Sequence, residues 1–271
     1  VLVAACGPSS GQGNRDAGLC GNCGPDEVCV PDLGCRACYP GQTYCNGPND
    51  DQVWQCNADG TGGELVEECT AQEVCRGGFC LTPCQAQELL PSNVGCEFYA
   101  VDLDNEATVA FGDASAQQFA VAVANGNDFA VAVDIYQNDA RVGAPVSEAL
   151  VTSVVVQAND LEQIDLPQRE VDGTMGQNAA YQMDLGTNIF SGTFVSPHAY
   201  KIVTDGPVVA YQFNPIIQAF SNDVSILIPK HALGRDYYVL GYPTANPCAF
   251  IEIQSIPDHS SLTVMALEPN T

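Results

Sequence analysis

Cysteine dominates the chemistry open to this chain. Fourteen occur in 271 residues, and twelve of them lie between Cys20 and Cys96. These are Cys20, Cys23, Cys29, Cys35, Cys38, Cys45, Cys56, Cys69, Cys75, Cys80, Cys84 and Cys96. At this density, in a Gly-, Pro- and Asn-rich stretch, cysteines are expected to pair as disulfides of an exported protein, with pairing left open. Cys20-x2-Cys23 and Cys35-x2-Cys38 outline a zinc ribbon. The 11 residues between the two pairs are too few for its usual spacing, and the many neighbouring cysteines favour disulfides.

Cys6 has a different context. Val3-Ala4-Ala5-Cys6 matches the bacterial lipobox, an apolar residue and two small ones before a Cys that receives diacylglycerol. Residues 1–5 then read as a signal-peptide remnant. Residues 6–19 read as a flexible polar tether spanning roughly 20 Å. The expected location is an exported protein anchored to the membrane by lipid, at the outer membrane or cell surface. No stretch is apolar and long enough to span a bilayer as a helix. With Cys6 lipidated, thirteen cysteines remain and one must be free or bonded to another chain. Cys248, alone in its part of the chain, is the first candidate. A Cys96–Cys248 bridge is the alternative.

Other candidate chemistry is sparse. Asp102, Asp104 and Glu106 cluster oxygen ligands that suit calcium. They lack the Gly and the spaced terminal Glu of an EF-hand, and calcium is the one cofactor reading that arises. His198, His231 and His259 show no metal-binding spacing. No Gly-x-Ser-x-Gly, His-Glu-x-x-His or P-loop motif occurs, so no catalytic residue is expected and the chain reads as a non-enzyme. Eight Lys and Arg against 33 Asp and Glu give a formal charge of −25. That surface repels nucleic acid and anionic membranes, leaving a lipid anchor as the membrane contact.

The elements that hold these residues fall into two kinds. Residues 20–91 form a disulfide-stapled, loop-dominated stalk with an internal repeat: Cys23-x5-Cys29 and Cys69-x5-Cys75, each with Glu-Val before the second Cys. Each copy continues to two more cysteines, Cys35 and Cys38 or Cys80 and Cys84, with Gly34 and Gly78 marking turns. Cys45, Cys56 and the lone Trp54, expected to cover a disulfide, lie between the copies. A segment this short with few large apolar side chains needs such staples. A helical turn is expected near Pro83–Leu90.

Residues 92–271 read as an all-β domain. Phe119, Val121 and Val123 alternate with Ala120, Ala122 and Ala124, and Phe129, Val131, Val133 and Ile135 continue the pattern beyond Asn125-Gly126-Asn127. Asn-Gly between alternating runs predicts a hairpin with a type I′ turn. Further strands are expected at 151–157, 161–166, 200–204, 208–213, 224–228, 237–242, 249–254 and 262–266. Pro167, Gly206-Pro207, Pro215, Pro229 and Pro243 exclude long helices. The fold class is mainly β: an antiparallel β-sandwich whose Ala-rich and Val/Phe-rich faces pack closely, preceded by the disulfide-rich segment. The pattern is expected to run on past Thr271.

Within this domain, Tyr200-Lys-Ile-Val-Thr-Asp-Gly-Pro-Val-Val-Ala-Tyr-Gln-Phe-Asn-Pro215 resembles the core signature of the IgGFc-binding-protein N-terminal domain family. Phe220-Ser-Asn222-Asp223-Val-Ser225-Ile-Leu-Ile-Pro229, Ala232-Leu-Gly234, Tyr237-Tyr238-Val239, Gly95-Cys96-Glu97-Phe98-Tyr99 and Asp102-Leu-Asp104-Asn105 fit the same pattern, over roughly residues 92–271. Bacterial members carry a Cys-rich stretch upstream. The resemblance implies an extracellular β-rich binding domain, and no binding residue transfers from it. The expected function is a surface lipoprotein that binds or adheres to an extracellular protein or glycan. The alternatives are a polymer-degrading hydrolase using dispersed carboxylates and a self-associating matrix component.

Overall fold

A computed structural model describes residues 20, 23–25, 27–47, 50–103, 107–108, 112–113, 117–169, 171, 195–216, 223–241 and 262–267. The chain divides into two units, one ending at Pro91 and the other running from Ser92.

The first unit is a string of short strands. β1 (Val28–Val30) pairs with β2 (Gly34–Arg36). β3 (Thr43–Tyr44), β4 (Gln52–Cys56) and β5 (Gly63–Glu68) form a meander. β6 (Val74–Arg76) pairs with β7 (Phe79–Leu81). The expected helical turn is α1 (Pro83–Glu88), started by a capping box between Thr82 and Gln85.

The sequence repeat is a repeat of covalent structure. Each copy folds its second and third cysteines onto facing strands, Cys29 opposite Cys35 and Cys75 opposite Cys80. Facing cysteines do not bond to each other. The first bonds the third, as Cys23–Cys35 and Cys69–Cys80, and the second bonds an upstream cysteine, as Cys20–Cys29 and Cys45–Cys75. Cys38 then ties the first copy forward to Cys56.

Both marked glycines take left-handed backbone, with φ of 80° at Gly34 and 83° at Gly78. A Cβ on Gly78 would lie 2.4 Å from the carbonyl oxygen of Thr43. The obstacle is backbone and cannot swing away. Gly78→Ala is therefore expected to cost at least about 2 kcal/mol. Gly41→Ala has a similar φ and open space around it, and should lose only the smaller backbone part. Urea unfolding of the two variants checks this, and equal losses would contradict it.

The second unit is a sandwich built around one long strand. In order come β8 (Gly95–Ala100), a small hairpin of β9 (Ala107–Thr108) and β10 (Gly112–Asp113), β11 (Ala120–Asn125) and β12 (Val131–Asn138). β13 (Glu148–Val156), β14 (Asp160–Asp165), β15 (Tyr200–Phe213) and β16 (Val224–Ile226) follow. The first half of β15 lies between β12 and β8, with β13 outside β12. Its second half lies between β11 and β16, with β14 outside β11. All these pairings are antiparallel. Phe98, Val133, Ile135 and Ile202 from the first sheet and Val121, Val123, Ile164 and Ala210 from the second meet in one buried core.

The bend of β15 falls at Asp205-Gly206-Pro207. Pairing with β8 shifts there, from Val203 opposite Glu97 to Val208 opposite Gly95. Gly206 leaves no room for a side chain: a Cβ would come within 2.8 Å of Val131 Cγ2 and 2.9 Å of Phe129 Cε2. The two strands expected at 200–204 and 208–213 are thus one, because its Gly-Pro pair bends the strand without ending its pairing.

The predicted Asn125-Gly126 hairpin is not formed. β11 and β12 do not pair with each other: β15 lies between them, β12 on its first half and β11 on its second, and their connection is an arch past β15. A type I′ turn needs positive φ at both central residues, and neither Asn125 nor Gly126 has it. The side chain of Asn125 instead binds the surrounding arches. Its Nδ2 donates to the carbonyls of Phe129, Val156 and Gln157, and its Oδ1 accepts from Asn127 N and Asn127 Nδ2. Asn127 Nδ2 also donates to Pro207 O at the bend of β15.

The two faces of β11 also differ from expectation. The Val121 and Val123 face builds the inter-sheet core, while the Ala face points away from it, opposite Tyr211 and Phe213 on β15. Residues 237–241 and 262–267 carry strand-type alternation but form no strand, since no ladder partner pairs with them among the described residues. Residue 242 and the expected strand at 249–254 lie outside the described residues.

Candidate functional site

All twelve cysteines from Cys20 to Cys96 are disulfide-bonded. Cys23, Glu27 and Cys35 cluster closely enough to suggest a metal site, but Cys23 and Cys35 are bonded to each other. No thiolate remains there, and Glu27 accepts instead from the backbone N–H of Gly24 at 2.8 Å. Trp54 shares a face of β4 with Cys56, opposite Tyr44 and Leu65. Cys6 and Cys248, and with them the lipid and free-thiol readings and the Cys96–Cys248 alternative, lie outside the described residues.

Of the calcium candidates, Asp102 is described and Asp104 and Glu106 are not. Asp102 is 5% exposed, and its Oδ2 accepts from the backbone N–H of Arg169 at 2.9 Å. Its backbone carbonyl accepts from Val171 N. The residue ties Arg169 and Val171 down, which occupies one of the oxygens a cation would need. Tyr200, stacked on Phe119, lies nearby and donates to Pro167 O. Burial, above all, pushes its phenol far above the ordinary tyrosine range.

The richest surface is the outward face of the β13-β12-β15-β8 sheet. Antiparallel partners share a face, and alternate residues turn from the core. One row across the sheet reads Tyr99, Lys201, Tyr136, Leu150, and the next reads Glu97, Val203, Asp134, Ser153. Lys201 thus stands between two tyrosines. Lysine occurs only twice in the chain, at Lys201 and Lys230. Both border this face: Lys201 Nζ is 3.0 Å from Glu148, and Lys230 Nζ is 3.3 Å from Glu97. Tyr99 donates to Glu97 at 2.6 Å, and Ser153 donates to Asp134. Lys230 sits on a 3-10 turn whose register leaves Pro229 and His231 against Gly95, where a Cβ would be 2.4 Å from Pro229.

Beyond the face lies the β12–β13 tip, residues 139–147, with Val142 and Val146 exposed. Its base is held by Asn138, whose Oδ1 accepts from Ala140 N and Ser147 N. Arg169 holds it too, donating to Asn138 O and pairing with Asp139 at 3.6 Å. Spacing in the sequence does not single out these face residues. The rarity of lysine in so acidic a chain is the signal that points to them.

Burial opposes ionisation of Glu97, but the Tyr99 hydroxyl and the Lys230 ammonium outweigh it, so its carboxyl is held below the usual range. A depressed folded-state value means the stabilisation is present above the unfolded value and is lost as pH falls through the folded one. Glu97→Gln should therefore lower the melting temperature slightly at pH 7, and the difference should shrink as pH falls through the folded value. The effect is small because both partners are partly exposed. A larger deficit in acid than at pH 7 would reverse the assignment.

No family model matches the chain, and no curated protein matches it. Among solved structures, the crystal structure of Thermotoga maritima 1070 is similar over 52% of this chain and 98% of its own length, at 8% identity and a TM-score of 0.28.

Proposed function

We propose that this chain is the extracellular part of a lipid-anchored surface protein whose β domain binds a protein or glycan through the outward face of the β13-β12-β15-β8 sheet. The disulfides put the chain in an oxidising, exported setting. The observation that carries the reading is the face itself. In a chain of charge −25, both lysines and two tyrosines converge on one exposed sheet surface. Half-buried tyrosines among paired charges suit recognition, because each ring offers an apolar face and a polar tip. The Cys-rich unit then serves as a cross-linked spacer between the Cys6 anchor and the binding domain. The likeness of residues 200–215 to the IgGFc-binding domain family agrees with an extracellular binding role, with the ligand left to experiment.

Arrays of extracellular glycans and proteins probed with the purified chain test the binding role. Specific capture that Lys201→Ala abolishes supports it, and substrate turnover that a single carboxylate change abolishes would overturn it. Mass spectrometry of the membrane-extracted protein tests the anchor, and an unmodified Cys6 peptide would end that part of the reading.

A further inference from the structure

The ligand class can be narrowed from the chemistry of the same face. Resting on the binding role above, we propose that this face takes a neutral oligosaccharide, laid across the strands over Tyr99, Lys201 and Tyr136. Charge argues first. A chain of −25 repels anionic glycans at long range. The two ammonium groups at the face are already paired, Lys201 with Glu148 and Lys230 with Glu97, so a sulfate or uronate would have to displace a carboxylate.

Composition argues second. A protein partner is met by a contiguous apolar centre depleted in charge. Here the central positions are Lys201, Val203 and Asp134, interleaved with Tyr99, Tyr136 and Glu97. That pattern fits sugars. Pyranose C–H faces stack on tyrosine rings, while hydroxyls accept from ammonium and phenol groups and donate to Glu97 and Asp134. A hydroxyl meets both signs of a paired charge without neutralising either.

Rigidity favours the same ligand. Tyr99 and Tyr136 flank Lys201 on three hydrogen-bonded strands, so their spacing is set by sheet register and not by a loop. A site held this way loses little freedom when it is occupied.

The test is the full chain on an array of neutral oligosaccharides of glucose, mannose, xylose and N-acetylglucosamine, beside sulfated and uronate-containing glycans and extracellular proteins. Hits are then titrated by calorimetry. Neutral glycans should bind, with affinity changing less than about twofold up to about 0.5 M salt. Tyr136→Ala and Tyr99→Ala should each weaken binding about tenfold. Tyr238→Ala, on a side chain 98% exposed away from any strand, should leave it unchanged. Circular dichroism melts confirm that the variants fold, and Tyr136→Phe, which keeps the ring, should retain most of the binding. Binding confined to acidic glycans with a steep salt dependence overturns the proposal, as does neutral-glycan binding that both tyrosine variants retain. Capture of a protein alone, sensitive to Lys201→Ala, overturns the glycan assignment and leaves the binding role standing. No capture of any kind overturns both.

Discussion

Replacing Asn125 should destabilise the β domain more than any other single polar substitution in its core. The side chain is 2% exposed; its two amide N–H groups are shared among the carbonyls of Phe129, Val156 and Gln157, and its oxygen accepts from Asn127 N and Asn127 Nδ2. Two of these carbonyls close the β13–β14 arch and one belongs to the β11–β12 arch. Asn127, held by Asn125, reaches Pro207 O at the bend of β15. One amide group therefore ties together the places where three chain segments cross between the sheets. Each buried polar group left unpaired costs about 1–3 kcal/mol. Asn127 sits at a more accessible turn and can recover its bonds from water, so the sum is not simple. We expect Asn125→Ala to cost about 3 kcal/mol or more. Asn125→Asp should be worse at neutral pH, because a carboxylate would face three carbonyls that expect donors. A carboxyl in that site has a raised folded-state value, so its penalty grows as pH rises through that value and shrinks in acid. Urea unfolding, followed by hydrogen exchange of peptides from β11 and β15, measures this. Two variants within about 0.5 kcal/mol of the parent would show that the arches hold without the amide.

The same residue marks how far the sequence could be read. Alternation at 119–124 and 129–135 correctly announced two strands, although only β12 has a single buried face and β11 is covered on its Ala side as well. It could not say which strands pair. An Asn-Gly step fits a hairpin when both residues take positive φ, and an arch when the Asn side chain finds buried carbonyls. Two of the three carbonyls, those of Val156 and Gln157, come from residues about thirty positions away, and the next link, Pro207, from eighty positions beyond Asn127. Local pattern holds no trace of them. The Gly206-Pro207 step misled for the same reason. Punctuation that ordinarily ends a strand here bends one, because Phe129 and Val131 close over the missing side chain. Stretches 237–241 and 262–267 show the reverse error, since strand propensity is fulfilled only by a ladder partner. The disulfide segment was legible as such, while its connectivity was not. Facing cysteines on each hairpin look like natural partners by register, yet each bonds elsewhere. The face proposed for binding was the least legible feature. Tyr99, Tyr136 and Lys201 become neighbours only through the register of β8, β12 and β15, including a bulge after Ile135 on the β13 side. Gln212 and Asn214 were visible as part of a long motif. Their roles, bonding Val101 N and Leu103 O, emerged only with the fold.

Reduction should unfold the Cys-rich unit completely and leave the β sandwich folded. Among the described residues of the first unit, the buried apolar side chains are Val30, Val53 and Ala86 together with the cystine residues Cys38, Cys56 and Cys75. Half of that set is disulfide sulfur, and the strands are two to six residues long. Such a unit has no core that could hold it once the cross-links open. Loop-closure entropy gives the scale. The shortest bridge, Cys20–Cys29, closes a separation of 9 residues, and the longest, Cys45–Cys75, one of 30. The chain-entropy relation gives about 2.6 and about 3.6 kcal/mol for these two. Even a fraction of that from each bridge exceeds the margin by which small units are stable. The β domain differs in kind. Its core is Phe98, Phe119, Tyr200, Ile202 and the valines and isoleucine of β11 and β12, none of it sulfur. The chain should be treated with a phosphine reductant in native buffer, alkylated and digested lightly with a low-specificity protease, with hydrogen exchange read alongside. Peptides from residues 27–81 should lose protection and be cut, and those from β11, β12 and β15 should keep theirs. A melting transition from the sandwich should survive near its oxidised temperature. If the Cys-rich peptides stayed protected after every thiol was alkylated, the claim that sulfur supplies their core would be wrong. If the sandwich unfolded as well, its stability would depend on the bonds of the first unit or on Cys96, and not on the apolar core between its sheets.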